Sequence, residues 1–141
     1  MPYGTWEILR RGRECALLAV GVMCRPALEA AEALAVDGFD VTVVNCRFLK
    51  PMDHAMLEAL ARDHRLLVTV EDGCVVNGFG ATLAGLMQTI AAEVRVVPLG
   101  VPDRTYEHAP RARQLEGVGL TGAGLAGRVR ALAAEESLAP G

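Results

Sequence analysis

The sequence is 141 residues long, carries a formal net charge of −3 at pH 7, and is 52% hydrophobic but only 4% aromatic. This length suits one core, so residues 1–136 are expected to form a single domain followed by a disordered tail at 137–141. The mild charge and scarce aromatic residues argue against a nucleic-acid partner, and no apolar run is long enough to predict a membrane span.

Apolar runs and helical periodicities alternate along the chain. The run at 15–20 is continuous, which is typical of a strand buried on both faces. Alternation of strands with helices indicates βαβ units, a mostly parallel sheet and right-handed crossovers. The predicted strands are 6–9, 15–20, 41–45, 66–70 and 94–99. The predicted helices are one from near Pro26 to Gly38, then 53–63, 81–92, 111–116, and a last one with Leu125, Val129 and Leu132 that is expected to cover a sheet edge.

Two glycine patterns invite comparison with phosphate-binding loops. The segment 117–122 matches G-x-G-x-x-G, but it follows a predicted helix instead of the strand that a dinucleotide site requires. It is therefore interpreted as a helix end, with Thr121 as the N-cap of the next helix. Gly78 and Gly80 are interpreted as part of a loop that needs either positive φ or close packing.

The residue types needed for common catalytic and metal sites do not cluster in this sequence. Cys15, Cys24, Cys46 and Cys74 are far apart and form no C-x-x-C pair, so they are interpreted as buried, reduced thiols in a cytoplasmic protein. The single serine, Ser137, lies in the predicted tail, which argues against a Ser-His-acid arrangement.

Charged residues gather where predicted strands end. Arg47 and Lys50 follow one strand and Glu71 ends the next, so these residues should flank Gly21 at the point where a doubly wound sheet changes direction. Two interpretations remain open. The charges could bind a small anion, or Arg47 or Lys50 could pair with Glu71 to order loops or a subunit contact. Asp53 suits the first turn of a helix, where its carboxylate would meet exposed N–H groups.

Two more candidates lie further along the chain. Asp103 follows Pro102 in a predicted turn, and His108 lies in an irregular segment where it could contact a ligand or a partner.

Three motifs together resemble one family. They are R-F-L-K-P-M-D at 47–53, T-V-E-D-G at 69–73, and V-P-D-R-T-Y-E-H at 101–108. In this order they resemble the C-terminal domain of 1-deoxy-D-xylulose-5-phosphate synthases, which are members of the transketolase family. The resemblance runs from about residue 3 to 132. The sequence departs from it at Asp72-Gly73, Asn77-Gly78, near Thr105 and at Ala109, as a divergent paralogue would.

The resemblance implies a three-layer α/β/α fold with a five-stranded, mixed and mostly parallel sheet whose first strand is antiparallel. It implies part of a homodimeric transferase that joins pyruvate to glyceraldehyde 3-phosphate, releasing CO₂ and forming a precursor of isoprenoids and thiamine. Thiamine diphosphate and Mg²⁺ would bind elsewhere in that enzyme, so no catalytic, cofactor or metal role is assigned to this chain, and alone it should be inactive.

Its implied role is structural, at contacts with the other domains and a second subunit. The candidate crevice or interface residues are Arg47, Lys50, Glu71, Asp103 and His108. Two alternatives remain: a stand-alone regulatory or scaffolding module that binds a small anion at the switch point, and a beta-type subunit of a 2-oxo acid dehydrogenase.

Overall fold

A computed structural model describes residues 5–47, 52–71, 78–100 and 121–136, and five strands within them form one sheet. The strands are β1 (Glu7–Arg10), β2 (Cys15–Ala19), β3 (Val41–Asn45), β4 (Leu66–Glu71) and β5 (Arg95–Gly100). Their spatial order is β1-β3-β2-β4-β5, with β1 antiparallel to β3 and every other pairing parallel. The mixed sheet with an antiparallel first strand is therefore confirmed.

Helices cover both faces of this sheet. They are α1 (Cys24–Val36), which continues from a short 3₁₀ turn at Gly21–Met23, α2 (His54–Asp63), α3 (Phe79–Ile90) and α4 (Gly122–Glu135). Residues of α1 and α4 share one buried cluster with the sheet, and residues of α2 and α3 share the other. The three-layer α/β/α arrangement follows directly from these two clusters.

The central strand β2 separates two cores of different composition. All five of its residues are buried, and alternation sends Leu17 to the α1 and α4 side and Leu18 to the α2 and α3 side. The first side is rich in alanine, which allows helices to approach closely. The second contains Trp6, Phe79 and Met87. Each fully buried leucine contributes about 2 kcal/mol of burial free energy. Because β2 contributes buried residues to both clusters, it lies at the centre of the fold.

Glycines lie just after the end of α1 and at the start of α3. Gly38 has a φ of 77° just beyond α1, as expected for the residue that ends a helix. The loop predicted at Gly78 and Gly80 is partly wrong, because Gly78 has a φ of −88° and α3 already begins at Phe79. Close packing is the reason for Gly80, where an added Cβ would lie 2.3 Å from Thr69 Oγ1 and 2.6 Å from Pro98 Cβ.

The last helix lies on a face of the sheet instead of along its edge. α4 packs against α1 and shares the α1 cluster with the sheet. Just beyond its end, Glu136 Oε2 accepts a hydrogen bond from Arg95 in edge strand β5 at 3.0 Å. Thr121 is the N-cap of α4, as predicted, and accepts a hydrogen bond from the Gly124 amide at 3.2 Å. The predictions for 111–116, 117–120 and 137–141 lie outside the described residues. Among the helices that are described, none has the length and apolar character needed to cross a bilayer.

Candidate functional site

The four parallel strands end together at one side of the sheet, which we call the carboxyl edge and define by Ala19, Asn45, Glu71 and Gly100. Strand β2 continues to α1 on one face, and its neighbour β4 continues to α3 on the other. Such a change of direction opens a crevice between adjacent strands, and it is the usual ligand site in open α/β sheets. Gly21 lies there with a φ of 58°, and the neighbouring Val22 is 66% exposed.

Glu71 at the end of β4 is buried, and its carboxylate is directed at the start of α3. One oxygen accepts a hydrogen bond from the Phe79 amide at 2.9 Å, and the other accepts one from the Gly80 amide at 3.2 Å. The first N–H groups of a helix have no partner within the helix, and a carboxylate also complements the positive end of the helix dipole. Glu71 therefore fixes the helix start to the strand end.

Asp53 performs a similar task for α2. Its Oδ1 accepts a hydrogen bond from the Met56 amide at 3.0 Å, which makes it the N-cap that the sequence predicted. Its Oδ2 accepts a second bond, 2.8 Å long, from the amide of Trp6, a residue 47 positions earlier. One carboxylate thus holds both a helix terminus and the start of the antiparallel strand.

An aromatic contact connects these two carboxylates. The rings of Trp6 and Phe79 meet edge to face, with centroids 5.8 Å apart and an angle of 74° between their planes. Phe79 is also the residue whose amide Glu71 binds. We call the set Trp6, Asp53, Glu71 and Phe79 the carboxyl-edge clamp.

Sequence reasoning identified the two carboxylates and missed the two aromatic residues. The available signal was the one tryptophan in the chain, at the start of the first predicted strand.

The predicted site residues are only partly within the described structure. Arg47 lies just beyond β3 with an exposed side chain, and its Nη2 donates to the Thr5 carbonyl at 3.4 Å. Glu71 lies at the same edge with the backbone partners given above. Lys50, Asp103 and His108 lie outside the described residues, so the geometry of the proposed charge pairs at the crevice stays a prediction.

The thiols in the described part of the chain are poorly suited to nucleophilic chemistry. Burial, assisted by Glu14, raises the pKa of Cys15 to about 12. Burial also raises the pKa of Cys46 well above its ordinary value, with further contributions from Cys24 and Asp53. The pKa of Cys24 is raised by burial and by Glu7.

The prediction of buried thiols is confirmed for Cys15 and Cys46. It is wrong for Cys24, which is half-buried, and Cys74 lies outside the described residues. Within the ranges that are described, no three His, Cys, Asp or Glu side chains are grouped as a metal site requires.

Comparison with known proteins gives consistent matches over nearly the whole chain. A family model described as "Transketolase, C-terminal domain" matches residues 4–125. A 1-deoxy-D-xylulose-5-phosphate synthase of Synechococcus sp. (strain JA-2-3B'a(2-13)) is 45% identical over 131 residues, which are 93% of this chain and 20% of the relative. The synthase of Geobacillus thermodenitrificans is 41% identical over 133 residues, which are 94% of this chain and 21% of the relative.

A solved structure has the same fold. A "Split gene transketolase, inactive beta4 tetramer" superposes with a TM-score of 0.84 at 33% identity, and the match covers 92% of this chain and 42% of that one. The two synthases named above are longer proteins, and this chain spans about a fifth of their length.

Proposed function

The chain belongs to the transketolase C-terminal domain family, and from that membership we propose that it is the C-terminal domain of a 1-deoxy-D-xylulose-5-phosphate synthase. In this proposal the whole enzyme condenses pyruvate with glyceraldehyde 3-phosphate, releases CO₂ and forms deoxyxylulose 5-phosphate for isoprenoid and thiamine synthesis. The observation that carries the proposal is the 45% identity to such a synthase across 93% of this chain.

The proposed role of this domain is to support the catalytic domains, and the chemistry of the carboxyl edge agrees with that role. The Mg²⁺ that accompanies thiamine diphosphate would need carboxylate or amide oxygens directed at an open site. Asp53 and Glu71 do not fit this need, because each of their four carboxylate oxygens already accepts a backbone N–H group. The cofactor and its metal are therefore assigned to the remainder of the parent enzyme, and no chemical step is assigned to this chain.

We assign the carboxyl edge to contacts with the other domains and with a second subunit of a cytoplasmic homodimer. Val22 is 66% exposed at this edge, so it is available for such a contact. Arg47 lies at the same edge. With Lys50, Asp103 and His108 it forms the proposed interface set, while the buried Glu71 supports this edge from within by binding α3.

The anion-binding alternative has less support. One helix terminus that could receive an anion at this edge is the start of α3, and the Glu71 carboxylate already occupies its first N–H groups. A regulatory module would bind inorganic phosphate saturably, and titration calorimetry on the chain measures this directly. We expect no binding at millimolar phosphate.

A chimera tests the main proposal. The matching portion of the Synechococcus synthase is replaced by this chain, and deoxyxylulose 5-phosphate and CO₂ are measured together with the oligomeric state. We expect an active chimera and an inactive isolated chain. A chimera that assembles like its parent but makes no product would contradict the proposal, as would product formed by the isolated chain.

Substitutions in the chimera test the interface assignment. Arg47, Lys50, Asp103 and His108 are changed to alanine singly and together, while Arg128→Ala serves as a control because Arg128 is exposed on α4. We expect the combined variant to lose dimer stability or activity at least tenfold, a change of about 1.4 kcal/mol. If it behaves like the Arg128 control, the assignment is wrong.

A further inference from the structure

A buried histidine lies near the amino-terminal ends of the parallel strands, opposite the carboxyl edge. His64 is 5% exposed and follows the last residue of α2, just before β4. Its Nδ1 lies 3.0 Å from the Leu60 carbonyl oxygen, and its Nε2 lies 3.0 Å from Thr42 Oγ1 in β3. Both ring nitrogens are therefore engaged by protein atoms away from solvent.

The Thr42 hydroxyl continues this chain of hydrogen bonds to the turn between β1 and β2. It accepts a bond from the Gly12 amide at 2.9 Å and lies 2.9 Å from the Gly12 carbonyl oxygen. The turn fits closely here, since a Cβ on Gly12 would lie 2.3 Å from the carbonyl carbon of Val41. Gly12 is thus held directly against β3, beside Thr42.

Counting protons shows that these contacts cannot all be satisfied when His64 is neutral. A carbonyl oxygen only accepts, so Nδ1 must carry the proton that it shares with Leu60. The single Thr42 hydroxyl proton can then go to His64 Nε2 or to the Gly12 carbonyl, and not to both. When Nε2 is also protonated it donates to Oγ1, which frees the hydroxyl proton for Gly12.

We propose that His64 is a proton-controlled latch between the α2–β4 junction and the β1–β2 turn. With both ring nitrogens protonated, every contact from Leu60 to Gly12 is a hydrogen bond. Loss of the Nε2 proton turns the Thr42 hydroxyl towards the ring, and the Gly12 carbonyl loses its bond from Thr42. The turn that leads from the antiparallel strand into the central strand is then held less tightly as the pH rises.

The charged groups on the neighbouring segments are largely committed to one another. Asp40 comes just before β3, and its carboxylate lies 3.6 Å from Arg10 Nη2 and 3.8 Å from Arg13 Nε. The Asp40 amide donates a hydrogen bond to the Glu14 carboxylate at 2.8 Å. The remaining ionisable residues on the segments that meet here are Arg11 in the turn and Arg62, Asp63 and Arg65 beside His64.

Nuclear magnetic resonance of the chain with labelled histidine tests the latch. Both imidazole nitrogens of His64 and the Gly12 carbonyl carbon are followed from acid to mildly alkaline pH. We expect both nitrogens to be protonated at the acid end. At the alkaline end the ring should be the Nδ1–H tautomer, with the Gly12 carbonyl shift changing in parallel. Exposed His54 should show no such fixed tautomer.

Two variants at position 42 separate the latch from an ordinary buried contact. Thr42→Val removes the hydroxyl at nearly constant volume and should abolish the pH response of Gly12, whereas Thr42→Ser should retain it. An Nε2–H tautomer at alkaline pH, ring nitrogens that do not titrate, or an unchanged Gly12 response in Thr42→Val would each overturn the proposal. The tautomer is measured on the unmodified chain, so that test stands even if Thr42→Val fails to fold.

Discussion

The two edges of the sheet use their charged side chains differently. At the carboxyl edge, Asp53 and Glu71 accept hydrogen bonds from backbone N–H groups. The opposite edge, which we call the amino edge, has one such bond, from the Asp40 amide to Glu14. Its other charged contacts are ion pairs between side chains at 3.0 to 3.8 Å, which join Arg10 and Arg13 to Asp40, and Arg95 to Glu135 and Glu136. Arg130 also pairs there with Asp37.

The difference predicts which contacts contribute more to stability. Carboxylates bound to backbone amides are held by geometry and partial burial, whereas exposed ion pairs contribute little because water and salt screen them. We therefore expect Asp53 and Glu71 to contribute more to stability than the ion pairs of the amino edge. Four experiments test this comparison.

The largest effect is expected from the aromatic contact of the clamp. Trp6→Ala removes a ring that is 3% exposed and packs on Phe79, so we expect the free energy of unfolding to fall by about 4 kcal/mol. Trp6→Phe keeps an aromatic ring and is the matched variant, with a loss of about 1 kcal/mol. Urea unfolding followed by circular dichroism measures both. Equal losses in the two variants would show that ring packing is not what stabilises this edge.

Glu71 gives the next largest effect. Glu71→Ala leaves two N–H groups at the start of α3 without their carboxylate, and we expect a loss of about 3 kcal/mol. Glu71→Gln keeps one acceptor and should lose less. Glu58→Ala, on the exposed side of α2, is the control and should change stability by less than about 0.5 kcal/mol. The interpretation of Glu71 as a helix anchor fails if its alanine variant matches this control.

One thiol at each edge gives a smaller effect that depends on pH. Folding raises the pKa of Cys15 and Cys46 above the ordinary value of 9.0, so their protonated forms favour the folded state. Stability is fully present below that value and is lost as pH rises above it, by up to about 1.4 kcal/mol per pH unit for each thiol. Urea midpoints at increasing alkaline pH measure the slope. The slope should be smaller in Cys15→Ala and in Cys46→Ala, and an unchanged slope would contradict the assignment.

The smallest effect is expected at the amino edge. Arg130 Nε donates to Asp37 at 3.1 Å, and both side chains are about half exposed. Arg130→Ala should therefore change the free energy of unfolding by less than about 0.5 kcal/mol, and added salt should remove the difference. A loss as large as that of Glu71→Ala would remove the contrast between the edges.

Residue patterns predicted most of the fold, and the reasons for the exceptions are specific. The strand at 41–45 and the Asp53 N-cap needed only local information and are confirmed. The antiparallel direction of β1 came from the family resemblance, because four residues carry no signal of strand direction. The start of α3 was placed too late, since Gly80 resembles a loop residue until the contacts with Thr69 and Pro98 are known.

The candidate site was predictable only in part. Glu71 and Arg47 were identified from their places at strand ends, and both lie at the carboxyl edge. The partners of Glu71 were not predictable, because a charged residue at a strand end can as readily meet a cation as a helix N-terminus. His64 had no distinguishing pattern, since its importance depends on Thr42 and Gly12, which are 22 and 52 positions away.

The sequence by itself determined the type and order of the elements, because periodicities of 2 and 3.6 residues are local and survive without tertiary contacts. Only the tertiary structure decided which polar groups meet. The 47-residue separation between Trp6 and Asp53 is bridged because the sheet places β1 beside β3, and Asp53 is the N-cap of α2, the next helix after β3. A hydrogen bond requires atoms within about 3 Å, and distances of that kind are set by how the layers pack.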